Sequence, residues 1–455
     1  MPHVVTRSCC NDANCVYACP VNCIHPTPDE PDFATAEMLY IDPAACVDCG
    51  ACMTACPVGA IRPHSVLAPD QLPFLEINAD FYKGGRDRGP VLARVPAPLE
   101  VGEAAPPRVA IVGSGPAAMY AADEILTIPG ASVDLYERLP VPYGLARFGV
   151  APDHADTRRV AGTFDVIARQ DGFRLHLGVE IGRDLTHADL LASHDAVVYA
   201  VGAASDRRLD LPGADGLGTA TEFVGWYNGH PDHAGHAFDL SHRRAVIIGN
   251  GNVALDVARI LTLDPEDLAA TDIAPAALAV LRESRIEEVV VLARRGPADS
   301  AFTSSELLGL AAAVNVAVEG DLTDPGGLDT AAARKLALLA GLTAPGPGAR
   351  VVLRYRSAPT AITPDGVLIG DDLLEAGLVL SSIGYHARPV PDLPFDEATG
   401  TVPHEKGRVT GTDRTYVTGW IKRGPNGFIG TNKTCARETV RTLVADLAAR
   451  VPALS

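Results

Sequence analysis

The chain has 455 residues, more than one ordinary hydrophobic core accommodates, so roughly two to four domains are expected. With 47% apolar and 21% charged residues it has the composition of a globular protein, and a net charge of -18 argues against non-specific nucleic-acid binding. That acidity either favours basic partners or simply keeps the protein dispersed. No apolar run approaches the roughly 20 residues of a membrane helix. The stretch MPHVVTRSCC lacks the apolar segment of a signal peptide, so a cytoplasmic protein is expected. Nine of the ten cysteines fall within the first 56 residues, a distribution that suits metal-binding thiolates better than disulfides.

Residues 1–64 read as a compact, helix-poor module. Its strongest feature is Cys46-x-x-Cys49-x-x-Cys52-x-x-x-Cys56-Pro57. Two-residue gaps let a turning loop point three thiolates at one iron–sulfur cluster. The fourth cysteine, before proline, serves the other cluster of a two-cluster module. Its mate is Cys15-x-x-x-Cys19-Pro20, with Cys9 and Cys10 upstream. By this crossed rule Cys46, Cys49, Cys52 and Cys19 hold one [4Fe–4S] cluster. Cys56, Cys15 and one of Cys9 or Cys10 hold the second, and we take Cys9. Three thiolates would make it [3Fe–4S]; a fourth from Cys10 or Cys23 would make a second [4Fe–4S], and the spacing leaves both open. A pair of zinc knuckles, the competing reading, calls for two isolated Cys pairs at ribbon spacing. Residues 65–107, rich in Pro and Gly, read as a semi-rigid linker.

From Arg108 the pattern becomes strand, glycine turn and helix (VAIVG, SGP, AAMYAADEIL), and it repeats from Arg244 (AVIIG, GNG, NVALDVARIL). In Gly113-x-Gly115-x-x-Ala118 the first glycine permits a tight turn and the second lets a pyrophosphate approach the backbone. The small alanine lets helix and strand pack. The next strand, SVDLYE, ends in Glu137, roughly 20 residues on, where a carboxylate accepts from ribose hydroxyls. The second turn, Gly249-x-Gly251-x-x-Ala254, is followed by a strand that ends in Arg294 and Arg295 instead. Paired guanidiniums bind a 2′-phosphate that a carboxylate would repel, so NADP is expected over NAD. The polar insertion DPEDLAATDIAPAALAVLRESRIE accounts for the longer spacing here. Two such sites in one chain imply a flavin and a nicotinamide.

Residues 324–348 read as loop ends around a short helix, and VVLRYR and LVLSSIGY as strands. The glycine-rich stretch WIKRGPNGFIGTN leads into a last helix from about Asn432, whose N-terminus is expected to face the flavin. Ala436, Val440, Leu443, Val444 and Leu447 recur there at helical spacing and mark its buried face.

VVTRSC, ACPVNCI, MLYIDPAACVDCGAC and ACPVGAI make residues 1–61 resemble the bacterial seven-iron ferredoxins. VGSGPAAMYAAD, PYGLARFGVAPDH, YAVGA, GNGNVALDVARIL, ARRGPADSAFTSSEL and GWIKRGPNGFIGTNK make residues 108–455 resemble the adrenodoxin-reductase type of ferredoxin–NADP reductase. Together the chain is similar to bacterial fused ferredoxin/ferredoxin–NADP reductases. The resemblance implies an α/β fold with two Rossmann-like domains, the NADP domain (206–383) inserted in the FAD domain (108–205 and 384–455), after a small α+β two-cluster ferredoxin.

It implies FAD contacts at Ala117, Glu137, Leu145, Ile181, Trp420, Gly427, Phe428 and Ile429. NADP contacts are implied at Asn250, Gly251, Asn252, Val253, Arg294, Arg295 and Glu306, and near Gly427. Arg207 is implied as a cofactor contact between the two nucleotide domains. His154 matches a residue near the flavin and is the one catalytic candidate; its alternative role is to orient its loop. The expected activity is reduction of FAD by NADPH, with electrons passing singly to the fused clusters, an external ferredoxin or a cytochrome P450 system. The rivals are an electron-input subunit like the glutamate synthase small subunit, and a non-enzymatic redox carrier or sensor.

Overall fold

Two short hairpin-like pairs frame the cysteine-rich module. Strand β1 (His3–Val5) runs antiparallel to β4 (Ile61–Pro63), and β2 (Ile24–His25) to β3 (Tyr40–Ile41). Each half carries a helix of about one turn, Asn14–Ala18 or Ala51–Ala55, entered through a left-handed residue, Ala13 or Gly50. These coordinates are a computed structural model that describes every residue except 1, 84, 87, 88, 91, 103, 324, 325, 343–345 and 451–455. Parts of the expected linker and of the 324–348 segment therefore lie outside the described residues.

The linker begins later than its composition suggests. Pro73–Asp80 is a helix, with proline at its first position where the missing N–H costs nothing. Phe74 and Ile77 are buried in the ferredoxin core beside Val4, Val16 and Ile41. Asn78 closes the seam: its Oδ1 accepts from Val5 N at 3.2 Å and Ile41 N at 2.9 Å, and its Nδ2 donates to Val5 O at 2.9 Å and Phe74 O at 2.8 Å. Asn78→Ala leaves these buried groups unpaired and is expected to cost about 2–3 kcal/mol. A lowered melting temperature together with faster exchange of the Val5 and Ile41 amides checks this.

Beyond the linker the chain builds two sheets. The first has seven strands, ordered β20-β21-β22-β8-β5-β6-β7. Its parallel core is β5 (Arg108–Val112), β6 (Ser132–Glu137), β7 (Phe173–Leu177), β8 (Ala196–Tyr199) and β22 (Thr415–Val417), edged by the short strands β20 (His404–Glu405) and β21 (Arg408–Val409). The second has six parallel strands, β10-β18-β11-β12-β14-β13. These are β10 (Gly218–Thr219), β11 (Arg244–Ile248), β12 (Glu288–Leu292), β13 (Asn315–Glu319), β14 (Arg350–Arg354) and β18 (Leu378–Ser381). Buried on both faces, such strands are near-continuous apolar runs (VAIV, AVII, EVVVL) and not alternating ones. A small antiparallel sheet, β15 (Ala361–Thr363), β16 (Gly366–Ile369) and β17 (Asp372–Glu375), sits beside the second.

The chain passes between the sheets twice, and the two passages pair as β9 (Ser205–Asp206) with β19 (Tyr385–His386). The fold class is α/β, as expected. The segment 324–348 contains the helix Thr330–Ala340. The last helix, Thr431–Ala449, buries Ala436, Val440, Leu443 and Val444, with Leu447 packed alongside. Among the described residues no helix is long and apolar enough to cross a membrane.

Candidate functional site

The cysteines sort into two groups. Cys19, Cys46, Cys49 and Cys52 line one cavity with His3 and Cys23. Left-handed Asp48 and Gly50 turn the loop that presents the last three. Cys9, Cys15 and Cys56 form the second group, close enough that the Cys56 charge raises the Cys9 thiol and the Cys9 and Cys56 charges raise that of Cys15. Burial pushes Cys9 and Cys52 up to about 12 and Cys15 well above its ordinary value, so bare thiolates there are disfavoured. Iron bound at these positions supplies the missing positive charge, and the donor set fits it.

The two spare cysteines part company. The Cys23 Sγ lies 3.4 Å from Cys19 Sγ, at the first group. Cys10 is buried where the ferredoxin meets the reductase, in a core with Val58, Ala60 and Tyr120 against which Cys9 and Cys56 also pack, and the charges of Cys9 and Cys56 add to burial in raising its thiol. Asp12, buried beside Cys15 and Cys56, was not among the expected site residues.

The two glycine turns share a geometry. Gly113 has φ +100, and a Cβ there would lie 2.6 Å from Ala200 O; Gly249 has φ +116, with a Cβ 2.2 Å from Ser382 O. Only glycine fits at either position. Gly115 and Gly251 cap the following helices, Pro116–Leu126 and Asn252–Thr262, and a Cβ on either would meet nothing within 4 Å. The protein leaves that space open beside two helix N-termini, where a pyrophosphate fits.

Around the first turn, Glu137 Oε2 accepts from Ser114 N at 3.1 Å and from Ser114 Oγ at 2.5 Å, while Oε1 accepts from Leu139 N at 2.9 Å. Glu137, Ile181 and Gly113 line a cavity of 210 Å³ together with Arg138 and Arg388. Tyr143 N donates to Ser114 Oγ at 3.1 Å, which draws the short helix Leu145–Phe148 to the same turn. Ala117, on the first turn of the helix, faces Gly419, next to Trp420. The Trp420 Nε1 donates to Asn426 O at 3.1 Å and so folds the loop that carries Gly427, Phe428 and Ile429.

The start of the last helix has a second neighbour. Gly430 N donates to Cys10 O at 2.7 Å, so the start of this helix meets the ferredoxin loop.

Around the second turn, Asn250, Gly251, Asn252 and Val253 follow β11, and Asn252 Oδ1 accepts from Thr303 N at 2.8 Å. Arg294 and Arg295 stand exposed beyond β12. Arg356, beyond the neighbouring β14, donates its backbone N to Arg295 O at 3.1 Å and lies against Gly296. This third cation was missed because nothing local marks it. Arg207 sits exposed beside the β9–β19 ribbon, its backbone N donating to Gly384 O at 2.9 Å.

Glu306, expected at NADP, instead enters a buried ion network with His154 of the other nucleotide domain. Its Oε1 accepts from Arg7 at 2.8 Å and from Arg259 at 2.9 Å. Arg259 also pairs with Asp153 at 2.7 Å and Asp256 at 2.7 Å. His154, Asp256 and Glu306 are close enough together for a metal ion, but two guanidiniums already supply the cations. The Arg7 and Arg259 Nη2 atoms both donate to His154 Nε2, so its proton is on Nδ1. Burial, opposed by Glu306 and assisted by Arg7 and Arg259, pushes His154 down to about 4. Burial works against the Glu306 carboxylate, but the Arg7 and Arg259 guanidiniums hold its pKa down; burial and the Glu306 charge push Asp256 up.

Comparison with known proteins agrees with this architecture. A family model described as Pyridine nucleotide-disulphide oxidoreductase matches residues 107–295, and one described as 4Fe-4S binding domain matches 39–62. A probable ferredoxin/ferredoxin–NADP reductase of Mycobacterium tuberculosis is 55% identical over 98% of this chain and 84% of its own length. The NADPH-ferredoxin reductase FprA of Mycobacterium leprae is 44% identical over 75% of this chain and 84% of its own. The solved structure of Mycobacterium tuberculosis FprA in complex with NADPH superposes with a TM-score of 0.71 at 42% identity, covering 76% of this chain and 85% of that one. With both halves matched and that relative 55% identical over 98% of this chain and 84% of its own length, the chain belongs to the ferredoxin/ferredoxin–NADP reductase family.

Proposed function

We propose that the chain oxidises NADPH at a flavin and delivers the electrons to iron–sulfur centres, first among them those of its own N-terminal ferredoxin. One observation carries this: two glycine turns with an obligatory first glycine and open space at the second, one followed by Glu137 and the other by Arg294–Arg295. The FAD domain is 108–205 with 384–455, and the NADP domain is 206–383. Bound FAD supplies the conversion between a two-electron donor and one-electron acceptors.

The chain's own task is to hold and align. Gly113, Gly115 and Ala117 receive the flavin pyrophosphate, and Glu137 accepts from the ribose. Leu145, Ile181, Trp420 and Gly427 to Ile429 enclose the rest. Asn250 to Val253 receive the NADPH pyrophosphate, Arg294 and Arg295 its 2′-phosphate, and Arg207 sits where the domains meet. His154 and Glu306 position this meeting point and transfer no proton.

Cys19, Cys46, Cys49 and Cys52 hold a [4Fe–4S] cluster. Cys9, Cys15 and Cys56 hold the second, which three thiolates make [3Fe–4S]; Cys23 lies with the first group, while Cys10, packed beside Cys9 and Cys56, is the candidate whose ligation would make it [4Fe–4S]. An external ferredoxin or a cytochrome P450 system is the further acceptor. A cytoplasmic location suits thiolates that must stay reduced for iron.

Steady-state NADPH oxidation by the purified chain with ferricyanide tests the reading. Turnover supports it; none, with full flavin occupancy, leaves only a redox carrier or sensor.

A further inference from the structure

The ferredoxin touches both nucleotide domains at once. On the flavin side Gly430 N donates to Cys10 O at 2.7 Å, and Lys433 Nζ donates to Asn14 Oδ1 at 2.6 Å. On the NADP side Glu37 accepts from Ser304 N at 2.9 Å and pairs with Lys335 at 3.0 Å. Between these contacts Arg7 donates to both His154 and Glu306, which belong to different nucleotide domains.

Two glycines shape the seat. A Cβ on Gly430 would fall 2.0 Å from the Asn11 carbonyl carbon, and one on Gly309 would fall 2.0 Å from Arg7 Cζ. Gly309 lies inside the helix Ser304–Ala313, where alanine is otherwise favoured by about 1 kcal/mol. The approach of Arg7 accounts for glycine there. The end of the connecting segment is held as well: Arg441 donates to Ala97 O at 2.7 Å, and Leu99 and Val101 pack on the reductase core.

We propose that Arg7 is a positioning residue of the reductase site. It pins the fused ferredoxin in one seat across the two nucleotide domains and there holds Glu306 and His154, making the module a fixed third wall and not a carrier that swings on its linker. This rests on the assignment of the two nucleotide sites above.

The charges balance only with Arg7 in place. Asp153 and Glu306 offset Arg7 and Arg259, while burial and the Glu306 charge push Asp256 up and burial pushes His154 down, so that both lean towards their neutral forms. Without Arg7 one negative charge goes uncompensated around a Glu306 side chain only 10% exposed.

The test uses full-length holoprotein. In Arg7→Ala and in Gly309→Ala, the Gly430 and Ser304 amides, both donated to the ferredoxin, should exchange about tenfold or more faster than in the wild type. Gly309→Ala removes no partner and favours its helix, which separates eviction of Arg7 from general misfolding. With Arg7 gone, His154 loses a neighbouring cation while Asp153, Asp256, Arg259 and Glu306 remain. His154 should then take up a proton at a higher pH than in the wild type, so the pH profile of NADPH oxidation with ferricyanide should gain an acid limb, which Arg7→Lys moves back. Unchanged exchange in both alanine variants, or no new limb, overturns the proposal. Failure of the wild type to oxidise NADPH would overturn the functional reading instead, and the exchange data would still decide the seat.

Discussion

Replacing Arg294 and Arg295 together by alanine is expected to raise the KM for NADPH about a hundredfold while leaving that for NADH nearly unchanged. Hydrogen bonds to a charged group contribute about 1.5–3 kcal/mol each, and about 1.4 kcal/mol is a factor of ten. Two guanidiniums on one 2′-phosphate would nominally give more than a hundredfold. Both side chains are exposed, however, and Arg295 already donates to Asp299 O at 3.3 Å with the Asp299 carboxylate 3.8 Å away. Arg294 should therefore account for the larger share of the pair's effect. Arg356, whose backbone is tied to Arg295, stays in the double variant and limits the loss. Steady-state kinetics with both coenzymes and ferricyanide reads the result. Equal losses for NADPH and NADH would mean that the arginines serve the fold and not the phosphate.

The second large effect follows from the crossing of the cysteine ligands. Cys56 stands in sequence with Cys46, Cys49 and Cys52, yet its neighbours in space are Cys9 and Cys15. Cys56→Ala should therefore remove about three irons per chain and spare the [4Fe–4S] cluster, whereas Cys49→Ala should remove about four and spare the other. Cys49 is the more telling choice than Cys19, because Cys23 Sγ sits 3.4 Å from Cys19 and offers a substitute thiolate. Iron and sulfide quantitation with low-temperature EPR distinguishes the two outcomes. Loss of the same cluster in both variants would contradict the crossed assignment. Since ligation is coupled to folding, each variant should also melt earlier in the ferredoxin module.

How much of this was legible in advance depended on how local the cause was. Gly113 and Gly249 were recognisable because a strand, a turn and a helix lie within a dozen or so residues of one another. The cysteine loops were legible for the same reason, since their spacing is itself the constraint. The last helix was readable from its apolar spacing, and the structure starts it at Thr431. Composition misled at residues 65–82: prolines that suggested a linker open helical turns instead, and Asn78 gave no sign that it stitches β1 to β3.

The ion network was out of reach altogether. Arg7 meets His154 across 147 residues of sequence and Glu306 across 299, and no periodicity encodes such pairs. Glu306 was singled out by resemblance as an NADP contact; that its Oε1 also accepts from Arg7 and Arg259 was not foreseeable. The start of the last helix, expected to face a flavin, also meets the Cys10 carbonyl through Gly430, a contact with no local mark in the sequence. Arg7 and Cys10 both belong to the ferredoxin. A docked ferredoxin takes up polar groups that the reductase alone would leave free.

The central claim is that this chain reduces its own iron–sulfur centres with NADPH. Anaerobic mixing of the purified holoprotein with NADPH, followed by flavin absorbance and freeze-quench EPR at several protein concentrations, tests it most directly. The account predicts flavin bleaching followed by cluster reduction at a rate independent of protein concentration, with NADH far less effective. Clusters that stay oxidised after the flavin bleaches, or a rate that climbs with protein concentration, would contradict it.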